Sequence, residues 1–244
     1  MRTLSYISIF LLCWACQKAQ ERSCWKGTGT IEKTQLPLAS FSYLHIHPHI
    51  EVVLVQDSLN YIEWLAGNHL QSFLSATIEK DTLQLRNENR CGFLRYRRGD
   101  VKAVVHFTTL KELHLDNSEA VRNSNKWTAD NLLIFLKEGV GAVNLQIDAQ
   151  KATVRNQYGW QTLRLSGAAS ALFVDLDGSA ALEAPSLMVQ DSISFRSESP
   201  LSSSIRADQI KLKAQLYGEG NLYYFGTPLI LLKAEYGTGK VYPQ

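Results

Sequence analysis

The 244-residue chain has almost no net charge: 25 Lys and Arg face 23 Asp and Glu, leaving +2 with the histidines neutral. Proteins drawn to nucleic acid or to acidic membranes by electrostatics need a one-sided field, so neither is an expected partner. A long apolar run is missing as well. Residues 4–14 form a hydrophobic stretch too short to cross a bilayer as a mature helix. There is no Walker loop, no nucleophile elbow, no pair of Cys-x-x-Cys zinc signatures and no zincin helix, which counts against the common enzyme classes. The Asn-Gly dipeptide, the strongest hairpin signal, does not occur, which counts against a sandwich of simple hairpins. Cysteine is scarce, with four in all, at positions 13, 16, 24 and 91.

The scarce cysteines are placed informatively. Residues 1–15 read as an export signal, with Arg2 as the positive start and the short apolar run behind it. Leu12-Cys13-Trp14-Ala15-Cys16 resembles a bacterial lipobox, which makes Cys16 the expected lipidated residue. Cys13 stands where Leu is more usual and Trp14 is bulky, and a plain secretory signal cut nearby is the alternative. An acylated Cys16 would tie the protein to a membrane, because two or more acyl chains suffice for stable anchoring. Residues 16–23 are then a polar tether, and residues 24–244 a single domain. No acidic run follows Cys16, which favours the periplasmic face of the outer membrane over the cell surface.

The second half of the chain repeats. Turn-like points fall at Gly141, Gly159, Ala180, Ser199, Gly220 and Gly239, 18–21 residues apart. A half-period turn is expected at residues 166–170, so that each repeat holds two short strands and two turns. Between these points apolar and polar residues alternate. Val143, Leu145 and Ile147 alternate with Asn144, Gln146 and Asp148; Ile210, Leu212, Ala214 and Leu216 alternate with Lys211, Lys213 and Gln215. Period two puts successive side chains on opposite faces of a strand, giving one dry face and one wet face. A unit of about 20 residues cannot bury its dry face alone, whereas stacked units share a continuous core. The expected fold is therefore all-β, a right-handed parallel β-helix or β-solenoid, with an ordinary sandwich as the alternative. Glycine is expected at the sharp turns because it adopts positive φ freely. Residues 24–130 have the same alternation without the glycine turns, and read as less regular first rungs or as a cap over the open strand edges.

Tyr224-Phe225-Gly226-Thr227-Pro228, followed by Gly237-Thr238-Gly239-Lys240-Val241, resembles the closing motif of the head GIN domain family, described as putative auto-transporter adhesins. The resemblance covers roughly residues 24–244. Gly139-Val140-Gly141 keeps the family's turn pattern, while residues 177–180 and 197–200 depart from it. It implies a right-handed β-helix, an adhesive or structural role in the cell envelope, no catalysis and no cofactor, with a glycan or an envelope protein as partner. Two cysteines left in an exported chain invite a disulfide, and the family resemblance points the same way, to Cys24 with Cys91.

Several residues are candidates for chemistry. His45, His47 and His49 alternate on one strand face, and two imidazoles so spaced could grip zinc with Glu51 or His114 as third ligand; the plainer reading is a solvated polar strand with no metal. Asp175 and Asp177, with Asp148 and Asp191 as neighbours, are the acids a polysaccharide lyase or hydrolase on a β-helix would use, and that enzyme is the alternative function. Their plainer reading is again a solvated face. Arg95 and Arg97, flanking Tyr96, could clamp phosphate or an acidic glycan, though a solvated basic loop explains them equally. Trp127 and Trp160 could stack on sugars, or simply pack as rung or cap residues.

Overall fold

A computed structural model describes residues 27–89 and 100–244. It is 62% strand and 2% helix, coiled into a β-solenoid of about seven turns with a 20-residue spacing. In chain order the strands are β1 (Ile31–Pro37), β2 (Tyr43–Ile46), β3 (Glu51–Gln56) and β4 (Tyr61–Gly67). A single-turn helix, α1 (Asn68–Gln71), precedes β5 (Leu74–Glu79), β6 (Thr82–Asn87), β7 (Lys102–Phe107), β8 (Glu112–Leu115) and β9 (Val121–Asn123). The regular coils then run through β10 (Trp127–Leu136), β11 (Val143–Asn156), β12 (Thr162–Leu176) and β13 (Ala181–Ser197). The last coils are β14 (Ser203–Arg206), β15 (Lys211–Leu216), β16 (Leu222–Phe225), β17 (Ile230–Glu235) and β18 (Val241–Pro243).

Two parallel ladders run along the solenoid. The first stacks β6, β2 and β8, then the second halves of β10 to β13, then β15 and β17. The second stacks β7, β3 and β9, then the first halves of β11 to β13, then β14, β16 and β18. The alternating apolar residues point inward on both. Val143, Leu145, Ile147, Leu163, Leu172, Val174, Leu212 and Leu216 are all buried in one contiguous core that runs from Phe41 to Val241.

The structure departs from the expected two-turn repeat at mid-coil. Residues 166–170 form no turn; β12 continues through them as one bent strand. Ser166, Gly167, Ala168 and Ala169 stay paired with β11, Gly167 opposite Ile147, and only Ser170 lacks a register partner there. Of the turn glycines, Gly139 takes the expected positive φ (125°), but others serve differently. Gly141, Gly220 and Gly239 do not need positive φ. A Cβ at each would lie 2.0–2.2 Å from the carbonyl oxygen of Glu119, Leu201 or Gly220 in the preceding turn. Glycine serves there because stacked turns touch backbone to backbone.

The N-terminal coils stack out of chain order. β2 and β3 lie between the β6–β7 coil and the β8–β9 coil, so the first coil in sequence is the second in space. The remaining strands cap the end: β5 pairs antiparallel with β6, β4 with β7, and β1 with β4. Rungs and cap are thus interleaved in one segment. The β5–β6 hairpin turns on Lys80 and Asp81, both at positive φ (47° and 65°), without Asn-Gly. The far end carries charge beside the exposed Ile230, Leu231 and Leu232 of β17. Lys233 and Glu235 occupy β17 positions in register with the inward Ala214 and Leu216. Glu235 accepts the Val241 N–H at 3.0 Å and lies 3.2 Å from Lys240 Nζ. A charged last rung discourages further strand addition.

Candidate functional site: a polar groove across the coils

The residues predicted from sequence scatter. Trp127 is not a sugar platform. It is fully buried, its Nε1 donating to the Leu110 carbonyl at 3.2 Å and its ring meeting Phe107 edge-on at 5.8 Å. Trp160 is 64% exposed at a turn beside exposed Tyr158 and Val140, where its N–H donates to the Gly139 carbonyl. Cys16, Cys24, Cys91, Arg95 and Arg97 lie outside the described residues.

Asp175 lies in β12 and Asp177 just past its end, with Glu198 nearby, and all three carboxylates are bound by Arg196. Its Nη1 donates to Asp175 at 2.7 Å and to Asp177, and its Nη2 donates to Glu198. Hydrogen bonds to Asp177 and Asp175 hold the guanidinium charge even more firmly than usual. Asp148 pairs with Lys126 on the other ladder. The cluster is a salt-bridge network on an open face.

The histidines divide. β2 ends at Ile46 and the chain turns through residues 47–50 onto the second ladder. His49 sits in that turn at φ 71°, against Ser118 and Glu119. Glu51 pairs with Lys102, and His114 with Glu112. His45 and His47 stay together, their ring centroids 4.1 Å apart, and His45 Nε2 meets Asp116 Oδ2 at 2.8 Å. Burial depresses the His45 pKa below its ordinary 6.5, opposed by the Asp116 hydrogen bond and helped by the nearby charge of His47. The folded protein therefore binds less proton at His45 than the unfolded chain does. Its contribution to stability is full above about pH 6.5 and is lost as the pH falls. His45→Gln is expected to shrink the difference between urea midpoints at pH 7.5 and pH 5.0; an unchanged difference would show that His45 does not carry it.

The second ladder builds a feature that strand-by-strand reading missed. Its outward rows align from coil to coil: Arg122 beside Asn144, Asn144 beside Arg164, Arg164 beside Glu183, Glu183 beside Ser204. A second row sets Gln146 beside Ser166 and Ser166 beside Ser186. The register slips between Arg164 and Ser166 because β13 bulges around Pro185, whose carbonyl is taken by Arg206 Nε at 2.9 Å. These rows line an open groove of about 530 Å³. Arg164 Nε donates to Glu183 at 2.6 Å, while Arg122 forms no ion pair among the described residues. The groove thus offers Arg122, the Arg164–Glu183 ion pair, three carboxamides (Asn123, Asn144 and Gln146) and the hydroxyls of Ser166, Ser186 and Ser204, with apolar lining from Leu145, Leu165 and Pro185, a set suited to a hydroxyl-rich ligand with an anionic group. A 20-residue period brings Asn144 and Arg164 into one column, whereas Arg122, 22 residues before Asn144, joins it only through the strand pairing.

The fold and this surface define a class of protein: a non-globular β-solenoid presenting a repetitive polar face. Residues 40–228 match the family described as putative auto-transporter adhesin, head GIN domain, and the chain belongs to that family. Among solved structures it is similar to a putative adhesin from Bacteroides fragilis NCTC 9343, with TM-score 0.81 at 19% identity over 90% of this chain and 99% of that one. It is also similar to a putative lipid binding protein from Parabacteroides distasonis ATCC 8503, with TM-score 0.64 at 19% identity over 90% and 98%. A putative adhesin from Parabacteroides merdae ATCC 43184 aligns with TM-score 0.55 at 16% identity over 90% and 98%. A comparison with proteins of curated function finds no match.

Proposed function

We propose that the protein is an adhesin-like binding protein of the cell envelope, anchored through lipid on Cys16 at the outer membrane facing the periplasm, and that it binds a glycan without turning it over. The observation that carries the reading is the groove, where Arg122 has no ion-pair partner among the described residues and stands beside a column of amides and hydroxyls. Family membership supports a binding role. The rival carbohydrate-active enzyme would need acids converging in a cleft. Among the described residues the candidate pair is instead committed to Arg196 on an open face. Cys24 and Cys91 are proposed to form a disulfide that ties the start of the domain to the segment between β6 and β7.

The test is binding of the purified protein to an array of neutral and acidic glycans, with release of products followed in parallel. Saturable binding without cleavage is expected. Loss of both Arg122 and Arg164 to alanine should weaken it by roughly tenfold or more, the scale of one charge-assisted hydrogen bond. Cleavage products would overturn the non-catalytic reading, and no binding to any glycan would overturn the ligand class. The anchor is tested separately: Cys16→Ser should move the protein from the membrane fraction to the soluble one, since the acyl chains are lost.

A further inference from the structure

β2 is sandwiched between β6 and β8 on the first ladder, with His45 opposite both Gln84 and His114. His47 lies two residues beyond His45, and Asp116 just past the end of β8, its N–H donating to the Ile46 carbonyl at 3.0 Å. Stacked strands are about 4.8 Å apart, and alternate residues of one strand about 6.6 Å. Side chains from these three positions therefore converge over one spot. The ligand atoms of His45, His47 and Asp116 all lie within 4.8 Å of one another, and no other such group of three occurs among the described residues.

We propose that His45, His47 and Asp116 form a site for one divalent transition-metal ion of the zinc class, with Gln84 as the positioning residue that holds the His47 ring. Two imidazoles and a carboxylate are a borderline donor set that suits zinc better than magnesium or calcium, which prefer all-oxygen sites. Ligand atoms around a tetrahedral zinc are about 3.3 Å apart, given bonds of roughly 2.0–2.1 Å. Reaching that from the present spread takes only small side-chain rotations. The carboxylate has spare capacity: Asp116 Oδ1 is buried and has no hydrogen-bond partner. Its other oxygen, Oδ2, meets His45 at 2.8 Å, and Lys137 Nζ stands 3.7 Å from it. A bound dication would replace these contacts, and Lys137, 43% exposed, is free to swing to solvent. Gln84 Oε1 meets His47 Nε2 at 2.9 Å, the outer-sphere hydrogen bond that fixes a ligating imidazole. His45 and Asp116 side chains are 20% and 14% exposed, open enough for an ion to enter and covered enough to favour keeping it.

The site is tested with the purified untagged protein, stripped by chelator and titrated with zinc by calorimetry and with cobalt by visible absorption. One equivalent of zinc should bind and raise Tm, as any ligand specific to the folded state must. His45→Ala, His47→Ala and Asp116→Asn should each abolish binding, while His49→Ala and His114→Ala should keep it. Gln84→Ala should weaken it roughly 10–100-fold without abolishing it, which serves if a direct-ligand variant folds poorly. Cobalt should give ligand-field bands of nitrogen and oxygen coordination. No saturable zinc binding, a cobalt–thiolate charge-transfer band, or equal loss in His49→Ala would overturn the proposal.

Discussion

Trp127→Ala is expected to cost about 3–5 kcal/mol of folding stability, the range for deleting a large aromatic from a packed core. Trp127 is the largest fully buried side chain, and it stands where the irregular coils meet the regular ones. Its strand begins the long β10, pairing with Ile147 ahead, while its ring packs against Phe107 of the coil folded out of order and its Nε1 reaches back to Leu110. The cavity left by alanine opens at that seam and cannot close, because the neighbouring rungs are held at ladder spacing. The urea midpoint should fall correspondingly, and Tm by roughly 10 °C for a chain of this size. Trp160→Ala, at an exposed turn, should change neither by much. Equal effects at the two tryptophans would refute this account of the core.

Gly167→Ala is the second large effect, expected at roughly 2–5 kcal/mol from positive-φ strain added to overpacking. Gly167 has φ 103°, and a Cβ there would lie 2.1 Å from the Ile147 carbonyl oxygen. That oxygen belongs to the adjacent rung, so relief requires parting two paired strands in the middle of the solenoid. Gly27→Ala, where a Cβ meets nothing within 4 Å, is the control and should be neutral. Comparison of the two by urea denaturation separates a packing requirement at mid-coil from a general cost of losing glycine.

The solenoid was legible because its signal is local and repeated. Each strand shows alternation by itself, and each turn recurs at a fixed distance. Val143, Leu145, Ile147, Leu212 and Leu216 were placed correctly on the dry face for that reason. By composition Ser166 to Ser170 are turn-like residues, and it is the pairing of Ser166 to Ala169 with β11 on one side and β13 on the other that keeps the stretch extended. Trp127 and Trp160 looked alike in sequence. Burial separates them, and burial depends on which rungs close over a side chain.

The candidate sites divide in the same way. The groove column was partly present in the sequence as a phase relation of about 20 residues, but the bulge at Pro185, which shifts the register along it, is a feature of strand pairing. The metal cluster was half legible: the His45–His47 spacing is local, whereas Asp116 is 71 residues from His45 in the chain. No pattern within β2 or β8 says that they are neighbours.

Strand grammar, repeat length, apolar interior and family were all readable along the chain, since each is carried by residues close together in it. The tertiary structure alone decided the order in which the first coils stack, the bend that replaces a turn at Gly167, the sharing of Asp175, Asp177 and Glu198 by one arginine, and the meeting of His45 and His47 with Asp116. Those depend on which strand edge pairs with which, and backbone hydrogen bonds between rungs are blind to side-chain identity. Their choice is made by the whole core at once.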